Sequence, residues 1–411
     1  MKQVIKYIIN KILMFFSIFI YKDRKKIFCL PDYACKANCV DIINYTADNM
    51  LSFLNYLLKH YENEKLTIFL IYFDKQRIHE YISYVDSFHN KSIQIKFLYL
   101  NYQWRRVYKQ SLVDTYRYYF SFFQSKFVLT SDVVKRFPYK RNSQTYISLN
   151  YFTPFKLDKL NIDPSTKVEY VISTSQLASQ IISGSCKVPI DNFRVLGFSR
   201  NDNILHPRYS REELIRMLGL EYVIRKIIIY TPTHRDYEYN INSKRNILGY
   251  EGTYDEFNKL LETEKVILIV KFHPGQNIDC LIGLDQPRLF VYKANYQYTL
   301  YDILPHADIM ITDYTSTYFD FLLTQRPVIF NFFDREIYEK TRGFSYDPIE
   351  AVCAGPIVKT KDIFFEAIKE ALSGKDEYIN HRKFINSIMN KYTDENSSER
   401  IFNFCKTVFN Q

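Results

Sequence analysis

The chain has 411 residues, with 55 Lys or Arg against 45 Asp or Glu and a formal net charge of +10. A content of 47% hydrophobic and 24% charged residues excludes a disordered chain. At about 100–200 residues per domain, this length predicts two or three domains. The seven scattered cysteines indicate reduced thiols and exclude a disulfide framework.

The first 26 residues combine an apolar run with basic flanks. Lys2, Lys6 and Lys11 precede a nearly continuous hydrophobic stretch over residues 12–21, and four basic residues follow it before residue 27. A signal peptide would need a small-residue cleavage site there, and a transmembrane helix needs about 20 uninterrupted apolar residues. The pattern favours a third interpretation, an amphipathic helix lying on an anionic membrane surface.

Short β-rich runs alternate with amphipathic helical stretches after residue 26. In the first half, the pattern predicts strands at 66–73, 93–100, 126–129, 145–149 and 168–173, helices at about 47–60 and 176–183, and a loop around 201–207. In the second half, it predicts strands at 227–230, 266–271, 308–311 and 328–330, helices at about 253–264, 298–305 and 316–324, and two or three helices from about 361.

This alternation of buried strands and helices predicts an α/β fold with parallel sheets covered on both faces. The expected organisation is a membrane-interface helix over 1–26 and two doubly wound, Rossmann-like domains over 27–205 and 206–411. The two domains face a cleft, and ligands in such folds bind at the carboxyl ends of the strands.

The strongest local signal is the segment DIMITDYTSTYFD over residues 308–320. Its β-rich run ends at Thr312, and three hydroxyl residues, Thr315, Ser316 and Thr317, then begin a helix. Backbone N–H groups, the positive end of a helix dipole and hydroxyls together suit a diphosphate. A capped helix that binds nothing is the alternative interpretation of the same cluster.

Two further strand ends in the second half carry polar residues. Arg235, in YTPTHRD over 230–236, has a guanidinium that can clamp a phosphate through two hydrogen bonds, or it forms a solvated pair with Asp236. His273, in VKFHPG over 270–275, titrates near neutral pH and can exchange protons, although a lone histidine is commonly structural. Three such strand ends in one half predict a donor site with a base, an arginine and a phosphate cradle.

These segments resemble the CDP-glycerol glycerophosphotransferases, the teichoic-acid primases and polymerases. The resemblance covers about residues 27–375 and is looser before 190. It is carried by ITDYTSTYFDF (311–321), RPVIF (326–330), TRGF (341–344), GPIVK (355–359), YTPTHRD, KFHP, GFSRND (197–202) and the pair Asp48-Asn49.

The resemblance implies a GT-B-like architecture of two Rossmann-like halves, in which the second domain binds the nucleotide of CDP-glycerol and the first domain is on the acceptor side. It implies that an acceptor hydroxyl attacks the β-phosphate, that CMP leaves, and that His273 is catalytic. The implied donor-binding residues are Thr231, Thr233, Arg235, Asp313, Thr315, Ser316, Thr317 and Asp320. No cofactor is expected besides CDP-glycerol or a similar CDP-polyol, and no metal-ligating set is evident.

One motif departs from the family pattern. The family has a TWHGTP element whose His is proposed as the acceptor base, and an ungapped alignment puts Asn150 at its Trp and Tyr151 at its His. A tyrosine with its ordinary pKa near 10 is a poor base at neutral pH. Asn150 and Tyr151 are therefore acceptor-side candidates only, and the base is either dispensable or comes from another loop.

The sequence predicts a transferase that moves glycerol phosphate, or a related polyol phosphate, to a cell-surface polysaccharide or teichoic-acid-type acceptor. Its expected partners are the CDP-activated donor, a lipid-linked or polysaccharide acceptor and the anionic cytoplasmic face of a bacterial membrane, where it binds peripherally; nucleic acid is not expected. Two alternatives stay open: a GT-B glycosyltransferase that uses a nucleotide sugar in capsule or polysaccharide synthesis, and a catalytically impaired donor-binding member.

Overall fold

The protein contains two parallel β-sheets flanked by helices. The computed structural model describes residues 20–30, 48–72, 75, 78–100, 111–131, 144–150, 153–156, 168–233, 248–250, 253–272, 288–292 and 298–409.

The first sheet has the strand order β3-β2-β1-β4-β5-β6-β7, and its paired strands run parallel. Its strands are β1 (Asp23–Cys29), β2 (Leu66–Tyr72), β3 (Ile93–Tyr99), β4 (Ser125–Thr130), β5 (Thr145–Ser148), β6 (Tyr170–Ser173) and β7 (Phe193–Val195). Its helices are α1 (Asp48–His60), α2 (Ile78–Asp86), α3 (Leu112–Gln124) and α4 (Gln176–Cys186).

Apolar side chains on both faces of this sheet build two cores, as expected for parallel strands. Ile27 of β1 joins the core formed with α1 and α2, whereas the neighbouring Phe28 joins the core formed with α3 and α4. Helices therefore cover both faces of the sheet. Polar groups are left at the two edges where its strands begin and end.

The chain passes to the second sheet through α5 (Ser199–Leu205) and α6 (Arg211–Met217). The second sheet has the order β10-β9-β8-β11-β12-β13, again with parallel pairs. Its strands are β8 (Lys226–Thr231), β9 (Val266–Val270), β10 (Leu289–Val291), β11 (Ile309–Thr312), β12 (Val328–Asn331) and β13 (Ile357–Val358). The helices that follow α6 are α7 (Thr253–Thr263), α8 (Leu300–Ile303), α9 (Thr317–Phe321), α10 (Arg335–Thr341), α11 (Lys361–Ser373), α12 (Ile379–Met389) and α13 (Ser397–Phe409).

The last helix returns to the first sheet. Ile401 and Phe402 of α13 lie in the core that α1 shares with that sheet. Asp202 of α5 accepts hydrogen bonds from the backbone N–H groups that begin α13, at 2.9 Å from Ser397 and 2.7 Å from Ser398. We call the first sheet with α1–α5 and α13 the first lobe, and the second sheet with α6–α12 the second lobe.

The predicted α/β class with two parallel sheets is confirmed, and two local predictions are wrong. Residues 23–26, assigned to the membrane-interface helix, begin β1, and the predicted loop at 201–207 is mostly helix α5. Residues 1–19 of the predicted helix lie outside the described residues, and the domain boundaries stay predictions. None of the helices in the described part of the chain has the length and apolar character needed to cross a bilayer.

Candidate active site

The candidate donor site lies at the carboxyl ends of β8 and β11. These two neighbouring strands stand where the strand order of the second sheet reverses, the point at which open α/β sheets bind ligands. Thr231 ends β8 and Thr312 ends β11, and their hydroxyl oxygens are 3.1 Å apart. Both predicted strand ends therefore meet at one place.

Asp313 fixes the backbone that leaves β8. Its carboxylate accepts hydrogen bonds from the backbone N–H of Thr233, at 2.9 and 3.1 Å, and from the Thr233 hydroxyl, at 2.5 Å. Asp313 and Thr233 are both buried. The carboxylate thus holds Thr233, two positions before Arg235, which itself lies outside the described residues.

Between Asp313 and α9, three hydroxyl residues remain partly accessible. Thr315, Ser316 and Thr317 are each half-buried, while the flanking Tyr314 and Tyr318 are fully buried. The Ser316 side chain makes no capping hydrogen bond to α9. Because α9 has only five residues, the hydroxyls and the local N–H groups matter more here than any helix dipole.

The two tyrosines anchor this hydroxyl segment. The Tyr318 hydroxyl donates to the carbonyl of Val352, at 2.8 Å, and accepts from the N–H of Ala354, at 3.0 Å. Tyr314 stacks on Tyr338 with ring centroids 4.1 Å apart. The hydroxyl segment is therefore held from both sides by buried aromatic residues.

Asp320 is part of a buried ion pair between the lobes. Its Oδ2 accepts hydrogen bonds from the Arg200 guanidinium, at 2.8 Å, and from the Tyr301 hydroxyl, at 2.6 Å. The Arg200 guanidinium also lies over the rings of Tyr301, at 4.9 Å, and Phe198, at 4.8 Å. The segment GFSRND of the first lobe thereby meets YFDF of the second.

Protonation states at this contact follow from burial and charge. Burial raises the pKa of Tyr301 well above its ordinary value, so its hydroxyl stays protonated and donates to Asp320. Burial by itself would lower the pKa of Arg200, but Asp320, Tyr301 and Asp48 together raise that pKa above its ordinary value. The contact is therefore a charged pair with a neutral hydroxyl donor.

A second ion pair ties α8 to the connection between the lobes. The Arg208 guanidinium contacts both carboxylate oxygens of Asp302, with Nε 2.7 Å from Oδ1, and its Nη1 donates to the Tyr84 hydroxyl of α2 at 3.2 Å. The same Asp302 carboxylate caps α8 by accepting from the N–H and hydroxyl of Thr299. Asp302 is therefore a structural carboxylate.

On the first lobe, Asn49 joins three elements. Its side-chain amide donates to the carbonyls of Leu149, at 3.2 Å, and Asn150, at 2.8 Å, just beyond β5, and its Oδ1 accepts from the N–H of Arg200 at 3.2 Å. Asn150 is buried with a positive φ of 56°. The pair Asp48-Asn49 was visible in the sequence, but its contact with Asn150 was not.

The segment that follows Asn150 reaches the second lobe. Phe155 is buried among Tyr318, Phe319 and Phe330, with its ring centroid 6.0, 5.4 and 6.5 Å from theirs. Its carbonyl accepts a hydrogen bond from the N–H of Ser345 at 3.0 Å. Phe155, four positions after the acceptor-side candidate Tyr151, is thus packed against the residues that follow the hydroxyl-rich motif of the second lobe.

The predicted site residues separate into three groups. Thr231, Thr233, Asp313, Thr315, Ser316 and Thr317 lie around the ends of β8 and β11. Asp320 and Asn150 are buried at the contacts between elements. Arg235, Tyr151 and His273 lie outside the described residues. In the part of the chain that the structure describes, no group of three or more His, Cys, Asp or Glu is placed to hold a metal ion.

Sequence comparisons agree with these motifs. The family model described as CDP-Glycerol:Poly(glycerophosphate) glycerophosphotransferase matches residues 52–407. A teichoic acid poly(glycerol phosphate) polymerase of Bacillus spizizenii is 29% identical in an alignment of 272 residues that covers 58% of this chain and 64% of that protein. A teichoic acid glycerol-phosphate primase of Bacillus subtilis is 27% identical in an alignment of 295 residues that covers 69% of this chain and 72% of that protein. The chain therefore spans about two thirds of the length of these relatives.

Solved structures share the architecture. A structure of the wall teichoic acid polymerase TagF matches with a TM-score of 0.71 and 17% identity, covering 100% of this chain and 95% of that one. A putative UDP-N-acetylglucosamine 2-epimerase of Listeria monocytogenes matches with a TM-score of 0.52 and 13% identity, covering 93% and 96%. At these identities the likeness concerns the fold alone, and it confirms the predicted GT-B-like arrangement.

Proposed function

Because the chain belongs to the CDP-Glycerol:Poly(glycerophosphate) glycerophosphotransferase family, we propose that it transfers glycerol phosphate from CDP-glycerol to a hydroxyl of a teichoic-acid-type acceptor and releases CMP. The observation that carries the proposal is the hydroxyl-rich strand end at the switch point of the second sheet. There, Thr231 and Thr312 meet, and Thr315 and Ser316 present half-buried hydroxyls.

The donor diphosphate binds to this strand end in our proposal. The hydroxyls and N–H groups of residues 315–317 donate to its oxygens, and Arg235 neutralises part of its charge. The sequence predicts that Asp313 contacts the donor. Because a carboxylate facing a diphosphate would repel it, we propose instead that Asp313 holds Thr233, two residues before Arg235.

The reaction is an in-line displacement at the β-phosphorus. The acceptor oxygen forms the new bond, the bond to the bridging oxygen breaks, and CMP leaves. Such a transition state is stabilised mainly by positioning and by charge. We assign His273 to the transferring phosphoryl or the leaving phosphate, and Asn150 and Tyr151 to the acceptor side.

We also propose that the protein works at the cytoplasmic face of the membrane. Helix α3 exposes Leu112, Val113, Tyr116 and Phe120 within one face, with Leu112 88% exposed. Ile20 packs against the same core as α3. An exposed apolar face in a chain whose first 26 residues are basic and apolar suits an anionic bilayer surface.

Vesicle co-sedimentation tests this location. We expect binding to vesicles that contain phosphatidylglycerol, weaker binding to pure phosphatidylcholine, and loss of binding when residues 1–19 are deleted and Leu112 and Tyr116 are replaced by Gln. Retention of that variant on the vesicles contradicts the proposal. Deletion stops at residue 19 because β1 begins at Asp23.

A CMP-release assay tests the activity. We expect the purified protein to release CMP from CDP-glycerol only when a lipid-linked primer that ends in glycerol phosphate is present. Absence of CMP release with that pair overturns the proposed reaction. Turnover of a UDP-sugar would instead support the glycosyltransferase alternative, and donor binding without turnover would support an impaired member.

A further inference from the structure

The first lobe places one carboxylate, Asp48, near charged groups of the second lobe. Asp48 begins α1 and is half-buried. The next residue, Asn49, hydrogen-bonds the carbonyls of Leu149 and Asn150. These bonds fix the start of α1 beside the carboxyl end of β5, where the acceptor-side candidates follow.

The second lobe approaches the same carboxylate. Asp48 interacts electrostatically with Lys271, which directly follows β9, and with Arg200 of α5. Lys271 lies two residues before His273. A carboxylate of the first lobe and the end of a strand of the second lobe are thereby brought together.

Asp48 differs from the other carboxylates around it. Asp302 forms an ion pair with Arg208, and Asp320 forms one with Arg200. Asp48 forms no hydrogen bond or ion pair with any residue that the structure describes. A carboxylate that is partly removed from water, with no hydrogen bond to the part of the chain that the structure describes, is costly to keep, and this makes Asp48 a candidate for the chemistry.

We propose that Asp48 is the general base of the transfer. This role rests on the proposed function, in which an acceptor hydroxyl must lose its proton. Asp48 takes that proton as the hydroxyl oxygen bonds to the β-phosphorus, and the electron pair of the broken phosphorus–oxygen bond leaves with CMP. The proton on Asp48 then returns to solvent.

The charges around Asp48 support this role. Burial raises its pKa, Asp302 and Asp320 raise it further, and Arg200 and Lys271 oppose them. A carboxylate whose pKa lies above its usual value near 4 is a stronger proton acceptor than an ordinary one. The groups that face it are Arg200 of α5, Lys271 after β9, Tyr301 and Asp302 of α8, and Asp320 of α9.

The experiment compares Asp48→Asn with wild type across pH in the CMP-release assay, using CDP-glycerol and the lipid-linked primer. We expect kcat to fall about 100-fold or more, the usual contribution of a general base. The KM for CDP-glycerol is expected to stay within about twofold, because a base acts in the transition state and not in donor binding. The acidic limb of the wild-type kcat profile should disappear. Asp86→Asn is the matched control, since Asp86 is exposed at the end of α2, and it should behave as wild type.

The outcomes separate this role from the proposed function. A wild-type protein that releases no CMP overturns both. An active wild type without an acidic limb, or Asp48→Asn with kcat near wild type, overturns the base assignment alone. If Asp48→Asn does not fold, the wild-type pH profile still decides, and Asp48→Glu should keep the acidic limb.

Discussion

The buried pair between Arg200 and Asp320 predicts that Asp320→Asn destabilises the protein. The substitution keeps the side-chain shape but removes the charge that lies 2.8 Å from the Arg200 guanidinium, where neither side chain is more than 5% exposed. Removing one partner of a buried pair costs about 3–5 kcal/mol, because the other charge stays buried. Asp48 also interacts with Arg200, so we expect the lower end, about 3 kcal/mol.

This free energy converts to a measurable shift in Tm. With an unfolding entropy of about 2.1 cal/mol/K per residue, about 3 kcal/mol lowers Tm by about 3.5 °C if all 411 residues unfold together. If one lobe of about 200 residues unfolds by itself, the same loss lowers its Tm by about 7 °C. Differential scanning calorimetry measures the shift.

Two controls make the reasoning refutable. Glu64→Gln breaks the exposed pair with Lys25, whose nitrogen and oxygen are 2.7 Å apart, and should leave Tm unchanged. The double variant Arg200→Met with Asp320→Asn should regain most of the lost stability, since no unpaired charge stays buried. An unchanged Tm in Asp320→Asn, or losses that simply add in the double variant, would refute the buried-pair argument. An unchanged Tm with a raised KM for CDP-glycerol would instead support the sequence-based donor contact of Asp320.

Three further substitutions have definite expected outcomes. His273→Ala should abolish CMP release while circular dichroism and Tm match wild type, and near-wild-type activity would contradict its catalytic assignment. Tyr151→Phe should reduce kcat only modestly, because a tyrosine is not the base; a thousandfold loss would show the opposite. Gly355→Ala should lower the free energy of unfolding by about 1–3 kcal/mol or more, because its Cβ would lie 1.9 Å from the Val328 carbonyl oxygen. Its control, Gly184→Ala, meets open space within α4 and should raise that free energy by about 1 kcal/mol; equal effects in chemical denaturation would contradict the steric argument.

Errors in the predicted elements have identifiable physical causes. The basic residues Arg24, Lys25 and Lys26 indicated the flank of a membrane helix, yet they begin β1. Only the second half of that strand is buried, and the long side chain of Lys26 reaches Gln124 at 2.8 Å. The polar segment 199–205 has weak helix propensity, but packing between the lobes makes it helical and buries Arg200.

The local pattern of apolar and polar residues in the sequence determined the fold class and the hydroxyl-rich strand end of the candidate donor site. Five consecutive apolar residues in β9 are all buried, as a strand covered on both faces requires, and the hydroxyls after β11 lie where a strand end meets a short helix. These features depend on neighbours along the chain, so a periodic pattern is enough to predict them.

Only the tertiary structure decided which carboxylates form buried ion pairs and which do not. Asp320 pairs with Arg200, 120 positions away in the chain, and Asp302 pairs with Arg208, 94 positions away. The nearby Asp48 has no such partner among the described residues. The three carboxylates look alike in sequence. They differ because the protonation of a buried carboxylate depends on which groups the folded chain places within a few ångströms of it. No local pattern in the sequence predicts which groups those are.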